Sequence, residues 1–357
     1  MAARGGLIQR AMARKGTGLA WLQRLGRVDV TLLALVLIIA SLLISRYAPE
    51  QVAAQWQQEP AAAVQDEQVT AAPAPDLSRM PESGPAVRFL MHNVQNYFVA
   101  GEQSRSRYSN KPKSEKARQA VAEVIASAKP DVVGLIEMGG PLALKDLQLR
   151  LRELGCDLPH SSILLRDGED RALAVLSRYS LVQVQSRANH GLYGQQKRKM
   201  LRGILDVTIG VPDGRYFRVV GAHLKSRVAD DEAAADSLRA REARTLAMYL
   251  QQTMRQQTAM PVLVYGDWND GPGDASLGVL TQGVSADAAL QRLSPEDDEG
   301  DGWTLHYKAE REYYTFDQIY VNSVLRARRG RSCKSGIVDI PAGKTASDHR
   351  AVWCDVR

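Results

Sequence analysis

The chain mixes short apolar runs with amphipathic stretches, and the two kinds of segment do not alternate in a regular strand–helix–strand repeat. VRFLMHN begins at Val87 with alternating apolar side chains, which predicts a strand, and a helix is predicted after the capping residue Ser114. Further predicted strands span 131–137, 161–165, 171–177, 203–209, 216–223, 261–266, 316–321 and 350–356, with a long helix at about 232–256. This mixture favours an α/β fold with packed sheets and outer helices, and it argues against a regular barrel.

Polar side chains follow these apolar runs at the points where the strands are predicted to end. They are Asn93, Glu137, His223, Asp267, Asn269, Asp317, Asp348 and His349. Carboxylates are seldom left unpaired beside a core, so converging strand ends of this kind indicate a cation site with acid–base groups. Oxygen ligands favour Mg²⁺ or Mn²⁺, and the absence of clustered Cys or His makes Zn²⁺ a poor match.

The N-terminal part of the sequence has a different character. Val30–Ile44 holds fifteen residues without a charge. Six basic residues precede this run, whereas one closely follows it. We predict a basic segment at 1–28, a membrane anchor at 29–46, an Ala/Gln/Pro-rich linker at 47–86 and one large domain at 87–357. The positive-inside rule would keep the N-terminus cytoplasmic and send the domain to the periplasm or outside the cell. A cleaved signal, which would secrete the domain, and a buried core helix are the alternatives.

The charge balance indicates an anionic partner. Lys and Arg number 46 against 40 Asp and Glu, a net charge of +6, while three cysteines are too few for a disulfide scaffold. The segment 187–202 carries basic residues and no acid, and a second basic segment follows the first strand. The two segments contain Arg187, Lys197, Arg198, Lys199, Arg202, Arg105, Arg107, Lys111 and Lys113, with Tyr97, Phe98, Tyr108 and Tyr193 in or near them. Such loops could follow a phosphate backbone and stack on bases, or they could be ordinary solvated loops.

Seven short motifs occur in order, each at a predicted strand end. They are HNVQNYF (92–98), GLIEM (134–138), LSRY (176–179), GAHLKSR (221–227), YGDWND (265–270), FDQIYV (316–321) and SDHRAV (347–352). Together they resemble the endonuclease/exonuclease/phosphatase superfamily, which has the DNase I-like fold. The resemblance implies a four-layer α/β sandwich, in which two packed mixed β-sheets carry helices on their outer faces. It also implies phosphoester hydrolysis with a divalent metal, Mg²⁺ or Mn²⁺, and no covalent enzyme intermediate.

The same resemblance assigns expected roles to residues of this sequence. Glu137 matches the principal metal ligand. Asn93 and Asp348 are the further expected metal ligands, although Asn93 could instead hold the phosphate and Asp348 the water. Asp267 would orient or deprotonate the attacking water, and Asn269 would hold a phosphate oxygen or that water.

Two histidines and two basic residues complete the expected site. His349 would contact the scissile phosphate, with its tautomer fixed and its pKa raised by Asp317. His223 is a candidate general acid for the leaving oxygen. Lys225 and Arg202 could bind phosphate, although either could be an ordinary surface charge.

The resemblance leaves the substrate open. The basic loops favour a nuclease acting on DNA or RNA, so nucleic acid is the expected partner. The N-terminal helix is expected to contact the membrane. No protein partner is predicted. A phosphomonoesterase or a lipid-head-group phosphodiesterase is the alternative, but Asp270 after GDWN and the TASDHRAV ending depart from the inositol-phosphatase branch. An inactive tethered binding module would have lost a metal- or water-handling residue, and none is missing.

Overall fold

A computed structural model describes residues 75–81, 84–101, 111–229, 231–283, 285, 288–329 and 334–357. The predicted anchor at 29–46 and most of the linker at 47–86 lie outside these ranges. Within them, no helix has the length and hydropathy that crossing a bilayer requires.

The described chain forms sixteen strands and six α-helices. The strands are β1 (Val87–Tyr97), β2 (Val132–Met138), β3 (His160–Leu164), β4 (Ala172–Ser177), β5 (Ser180–Val184), β6 (Gly191–Leu192), β7 (Gln195–Lys199), β8 (Leu205–Gly210), β9 (Tyr216–His223), β10 (Val262–Asp267), β11 (Gln291–Arg292), β12 (Leu305–Tyr307), β13 (Glu312–Tyr314), β14 (Asp317–Val321), β15 (Ser335–Ile337) and β16 (Val352–Val356). The helices are α1 (Glu115–Ser127), α2 (Pro141–Glu153), α3 (Glu232–Gln256), α4 (Gly278–Gln282), α5 (Ser323–Arg329) and α6 (Gly343–Ala346).

Twelve of the strands build two six-stranded mixed sheets. Their orders are β15-β16-β1-β2-β4-β3 in the first sheet and β11-β14-β10-β9-β8-β5 in the second. The pairs β1–β2 and β9–β10 are parallel, and the other pairs in both sheets are antiparallel. The remaining four strands form two small hairpins, β6–β7 and β12–β13.

Three buried clusters show how the layers stack. One lies between the sheets and includes Phe89 and Val175 of the first sheet with Val219 and Ile319 of the second. A second cluster packs the outer face of the first sheet against α1 and α2, and a third packs the outer face of the second sheet against α3. The observed fold is therefore α/β, with two mixed sheets face to face and helices outside, as the sequence predicts.

One tyrosine joins the two sheets through their shared core. The Tyr265 hydroxyl, on β10, donates a hydrogen bond to the Ala174 carbonyl of the opposite sheet at 3.2 Å. A Cβ at Gly134 would lie 2.5 Å from the Tyr265 ring, and one at Gly221 would lie 2.6 Å from it. The glycines of the GLIEM and GAHLK motifs therefore leave room for this ring, a packing role that explains why no larger residue fits there.

The predicted elements agree with the structure to within a few residues. The strand at 216–223 and the helix at 232–256 have the predicted bounds, and Ser114 caps α1 by accepting from the Ala117 amide at 3.2 Å. The sequence pattern does not predict strands β5, β6, β7, β11, β12, β13 and β15. All seven are only two to five residues long, and most carry neither a continuous apolar run nor a clean alternation.

Candidate active site

Three neighbouring strands of the second sheet place polar residues at the same edge. His223 and Asp267 are the last residues of β9 and β10, and Asp317 is the first residue of β14. Asp267 pairs with His223 across the parallel β10–β9 ladder and with Asp317 across the antiparallel β10–β14 ladder. All three side chains are almost fully buried. Because ladder partners have neighbouring Cβ atoms, the sheet itself sets the spacing of these groups.

Asp267 is the centre of this group. Its Oδ2 accepts a hydrogen bond from Asn93 Nδ2 at 2.9 Å and lies 3.6 Å from His223 Nε2 and 3.9 Å from His349 Nε2. Its Oδ1 accepts from the Asn269 amide at 3.0 Å. Burial raises the pKa of Asp267 to about 7, against the lowering effect of His349. A carboxylate with such a pKa can accept a proton near neutral pH.

His349 and Asp317 form the predicted pair. His349 Nδ1 lies 2.7 Å from Asp317 Oδ2 and donates to it. Burial opposes the charge on the imidazole, but the carboxylates of Asp317, Asp267 and Asp348 outweigh it and raise the pKa of His349 to about 10. The ring is therefore an imidazolium at neutral pH, held in one orientation by Asp317.

His223 has the opposite electrostatic environment. Burial, together with the charges of Arg202 and Arg171, holds the pKa of His223 well below its usual range. Its Nδ1 is buried without a hydrogen-bond partner among the described residues. The ring is thus neutral in the free protein, so it can offer a hydrogen bond but carries no excess proton.

The ends of β1 and β2 in the first sheet have an unusual backbone. Gln95, Asn96 and Glu137 have φ angles of 45°, 53° and 62°, and Asn269 has 52° on the opposite sheet. Positive φ is uncommon for residues other than glycine, and such strain concentrates at functional sites. The bend leaves Glu137 Oε2 accepting from the Asn96 amide at 3.1 Å, with the Glu137 side chain 16% exposed.

Two basic side chains lie beside Glu137. Arg171 Nε donates to Asn96 Oδ1 at 2.6 Å and lies 3.5 Å from Glu137 Oε2. Lys113 Nζ donates to the Gln95 carbonyl at 3.0 Å, and its pKa is lowered by burial against the raising effects of Asp348 and Glu137. Glu137 and Asp348, two of the three predicted metal ligands, therefore both lie close enough to Lys113 to interact electrostatically with its ammonium group.

The third predicted ligand, Asn93, is buried and already hydrogen bonded. Its Nδ2 donates to Asp267, and its Oδ1 accepts from the Gln95 amide at 3.0 Å, which leaves one lone pair on Oδ1. Asn93 thus links the Glu137 edge of the site to Asp267.

Arg202 and Lys225 lie beside the site but are engaged with backbone groups. Arg202 is buried, and its Nη1 donates to the Leu224 carbonyl at 3.4 Å. Asn269 Nδ2 donates to the same carbonyl at 3.1 Å. Lys225 Nζ donates to the carbonyls of Ser226 and Val228. Either cation would have to exchange these partners to touch a phosphate.

Two residues of the site were not singled out from the sequence. Arg171 directly precedes β4 and has no distinguishing sequence signal. Glu242 is fully buried on α3, where its two oxygens accept from the Leu201 and Lys225 amides, both at 2.8 Å. Its spacing of four from Leu238 and Leu246 places this acid on the inward face of α3, a signal that the sequence does contain.

The basic and aromatic segments have a mixed outcome. The β6–β7 hairpin carries Lys197 and Arg198 exposed to solvent and leads through Leu201 into the Glu242 contact. Tyr97 and Phe98 are buried, and the Tyr97 hydroxyl donates to Asp146 at 2.7 Å, so the expectation that these rings stack on bases is wrong. Arg105, Arg107 and Tyr108 lie outside the described residues.

Comparison with known proteins decides the family. Residues 92–349 match the sequence profile of the Endonuclease/Exonuclease/phosphatase family. The chain belongs to this family. It is accordingly a hydrolytic phosphoesterase, and the matched range includes the strand ends described above. Among curated proteins, none matches the chain.

Several solved structures share the fold of this chain. The human Nocturnin catalytic domain with bound sulfate is 17% identical, with a TM-score of 0.53 over 76% of this chain and 94% of that one. TDP2 of D. rerio, in complex with a single-strand DNA product, is 15% identical, with a TM-score of 0.53 over 77% and 100%. Beta toxin from Staphylococcus aureus is 14% identical, with a TM-score of 0.53 over 75% and 99%.

The donor set of this family member is suited to a hard cation. Asp267, Asp317 and His349 each offer one ligand atom, all within 4.8 Å of one another, and Asp317 Oδ1 is buried without a hydrogen-bond partner among the described residues. A protonated His349, however, cannot ligate a metal through the nitrogen that holds its proton. Glu137, Asn93 and Asp348 are the ligand set that the sequence predicts, and their oxygens include no imidazole. The residues present therefore fit a divalent cation.

Proposed function

We propose that this phosphoesterase is a Mg²⁺- or Mn²⁺-dependent nuclease that hydrolyses phosphodiester bonds of DNA or RNA by in-line attack of water. The observation that carries the chemistry is the convergence on Asp267 of Asn93, His223 and His349 from separate strands and loops. This arrangement puts a proton acceptor, a hydrogen-bond donor and a fixed positive charge around one space.

Each residue has a role that follows from its environment. Asp267, with a pKa of about 7, orients the attacking water and accepts its proton. The His349 imidazolium, held by Asp317, faces the phosphate oxygen on which negative charge develops. Asn269 offers its second amide N–H to the phosphate or the water.

His223 is assigned as a hydrogen-bond donor near the leaving oxygen. Its neutral state in the free protein follows from burial and from Arg202 and Arg171. The negative charge of an approaching phosphodiester would partly cancel those positive charges, so transfer of a proton from His223 would depend on bound substrate.

Glu137 is the proposed principal metal ligand, with Asn93 and Asp348 beside it. A divalent cation held there would polarise a phosphoryl oxygen and stabilise the departing oxygen. Without a cation, the carboxylates of Glu137, Asp348 and Asp267 would repel a phosphate, and Lys113 and Arg171 only partly offset that charge.

The nucleic-acid part of the proposal is supported by charge. The exposed strand QQKRK at 195–199 presents consecutive basic side chains on a hairpin whose downstream end is held by Glu242, which also accepts from the amide of Lys225, two residues after His223. A row of cations beside a phosphate-cleaving centre suits a polyanion that extends past the scissile bond.

A substrate panel tests this proposal. The purified full-length protein is assayed with Mg²⁺ or Mn²⁺ on single- and double-stranded DNA, RNA, phosphomonoesters and phospholipid vesicles, with EDTA as the metal-free control. We expect cleavage of nucleic acid that EDTA abolishes. Hydrolysis of phospholipid or phosphomonoester without any cleavage of nucleic acid would overturn the nuclease assignment and leave the phosphoesterase assignment intact.

A further inference from the structure

The β12–β13 hairpin lies directly against the segment that carries Asp348 and His349. Leu305 forms an antiparallel bridge with His349, and the His306 amide donates to the Asp348 carbonyl at 3.1 Å. The Arg350 amide donates to the Thr304 carbonyl at 2.7 Å, and Thr304 Oγ1 accepts from the Asp317 amide at 3.0 Å. The hairpin is therefore fixed to the phosphate-facing residues by backbone bonds.

Three aromatic rings, which we call the aromatic shelf, cluster on this hairpin: Trp303, His306 and Tyr313. His306 and Tyr313 are cross-strand partners whose rings stack in parallel, with centroids 4.5 Å apart and an interplanar angle of 10°. Trp303 lies 4.8 Å from Tyr313 at 58°, and the Arg350 guanidinium lies 4.1 Å above the Trp303 ring. The contacts among these residues therefore hold the shelf in place without a ligand.

One face of the shelf is open. The Trp303 and His306 centroids are 6.5 Å apart, well short of the separation that a linear stack through Tyr313 would require. Trp303 therefore lies beside the Tyr313 ring and not on the face opposite His306. Tyr313 is 56% exposed, so that opposite face is available to solvent. A large aromatic held flat and half-exposed is the usual form of a stacking surface.

We propose that the aromatic shelf binds an unpaired nucleobase, stacked on Tyr313, of the strand whose phosphate is cleaved beside His349. The inference rests on the proposed nuclease function and extends it by assigning a base-stacking subsite. Paired strands lie about 5 Å apart, so a shelf bonded to residues 348–350 lies within the reach of one nucleotide.

The surroundings of the shelf favour a base over a lipid surface. The turn of the hairpin is formed by charged residues, with Lys308, Glu310 and Arg311 exposed at its tip. A hairpin that enters a membrane would place apolar side chains at that tip. The Arg350 guanidinium over Trp303 is itself paired with Asp297, so it fixes the Trp303 ring in place and leaves the exposed Tyr313 ring as the ligand-facing part of the shelf.

The test compares DNA strands that differ only in their bases. A short single-stranded oligonucleotide is compared with versions in which one nucleotide at a time lacks its base, and kcat/KM for hydrolysis is measured with Mg²⁺. For the wild-type protein we expect one position near the cut where loss of the base lowers kcat/KM about tenfold, which corresponds to ~1.4 kcal/mol. Tyr313→Leu should show no such position, whereas Tyr313→Phe should retain it.

Tyr307→Ala is the matched control, because Tyr307 lies on the same hairpin but pairs with Glu312 on its other face. It should keep the sensitivity to base removal. A fluorescent base analogue at the sensitive position should be quenched by the inactive Asp267→Asn protein and not by Asp267→Asn combined with Tyr313→Leu.

Each other outcome has a definite meaning. Nucleic-acid cleavage that is equally fast with and without bases would overturn the shelf while leaving the nuclease function intact. An equal loss of sensitivity in Tyr307→Ala and Tyr313→Leu would reduce the shelf to a structural element. If the wild-type protein cleaves no nucleic acid but binds and cleaves phospholipid vesicles, both the nuclease function and the base-stacking subsite are rejected.

Discussion

The two sheets contribute to the site in different ways. On the second sheet, His223, Asp267 and Asp317 lie side by side in a regular ladder, almost fully buried. On the first sheet, the ends of β1 and β2 bend through positive φ angles, and Glu137 is partly exposed between an amide and two cations. The regular edge holds proton-handling groups that are in place without any ligand. On the bent edge, acidic and basic side chains lie together in an arrangement that suits a bound metal ion.

The largest effect is expected from Asp267→Asn on the regular edge. It should lower kcat by roughly 10²–10⁴-fold, the usual contribution of a general base. Because burial raises the pKa of Asp267 to about 7, its ionised form is unfavourable inside the fold, so the thermal midpoint should stay unchanged or rise at pH 8. Asp274→Asn, at a half-exposed acid, is the control that should keep nearly full activity. Retained hydrolysis by Asp267→Asn would show that the regular edge does not supply the base.

Glu137→Gln tests the bent edge. We expect the apparent affinity for Mg²⁺ to fall by about 10²-fold, since even residues that only support a metal ligand typically contribute 10- to 100-fold. Mg²⁺ should raise the thermal midpoint of the wild-type protein and of Glu153→Gln, an exposed control, but not that of Glu137→Gln. If Asp317→Asn abolishes the midpoint shift and Glu137→Gln does not, the metal belongs at the Asp267–Asp317–His349 position instead.

Asp317→Asn tests the charge of Asp317 on the regular edge, because it removes that charge and keeps the size of the side chain. It should lower kcat about 10-fold or more and bring the pKa of His349 down from about 10, since burial would then act without its main opposing carboxylate. The stabilisation from this pair is fully present below the unfolded-state pKa of about 6.5 and is lost as the pH rises through about 10. The variant should therefore lose activity at a lower pH than the wild-type protein. Histidine NMR titration gives the pKa directly, and an unchanged value would contradict the pairing.

The smallest effect on activity is expected where the two sheets meet. Gly134→Ala puts a methyl group 2.5 Å from the Tyr265 ring, and overpacking of this kind destabilises a core by about 1–3 kcal/mol. Gly273→Ala, where an added Cβ meets no atom within 4 Å, is the matched control. Chemical denaturation should show a lower midpoint for the first variant only, with kcat of the folded protein nearly unchanged in both. A loss of kcat without a loss of stability would mean that Tyr265 also sets the position of β10, the strand that carries Asp267, in addition to filling the core.

The regular edge was also the easier one to predict from the sequence. Apolar runs that end in His223 and Asp267, and one that begins after Asp317, define both the strands and the positions of their polar ends. The ladders then bring these ends together. The bent edge depends on backbone angles that no local pattern specifies, because Asn96 and Glu137 adopt φ values for which glycine is the ordinary choice. Arg171 could not be predicted for a similar reason, since its contacts to Asn96 and Glu137 arise only from tertiary packing.

The short elements were harder still. The β12–β13 hairpin has three-residue strands, and its polar and aromatic residues show no clear period. Only its backbone bonds to residues 348–350 reveal that it borders the site. Tyr97 and Phe98 show the opposite error, because they lie near a basic segment in the sequence and were candidates for stacking on bases, whereas both are buried.

Glu242 holds the site through backbone amides alone, and this has an implication for how such an enzyme can diverge. The amides of Leu201 and Lys225 are offered by any residue except proline, so the carboxylate places no demand on the identity of the side chains in the hairpin at 191–199. Leu192 of the hairpin is buried in the core, whereas residues 194–198 are exposed. Substitutions confined to that exposed tip would therefore change the charge beside the site without altering the contacts of Glu242.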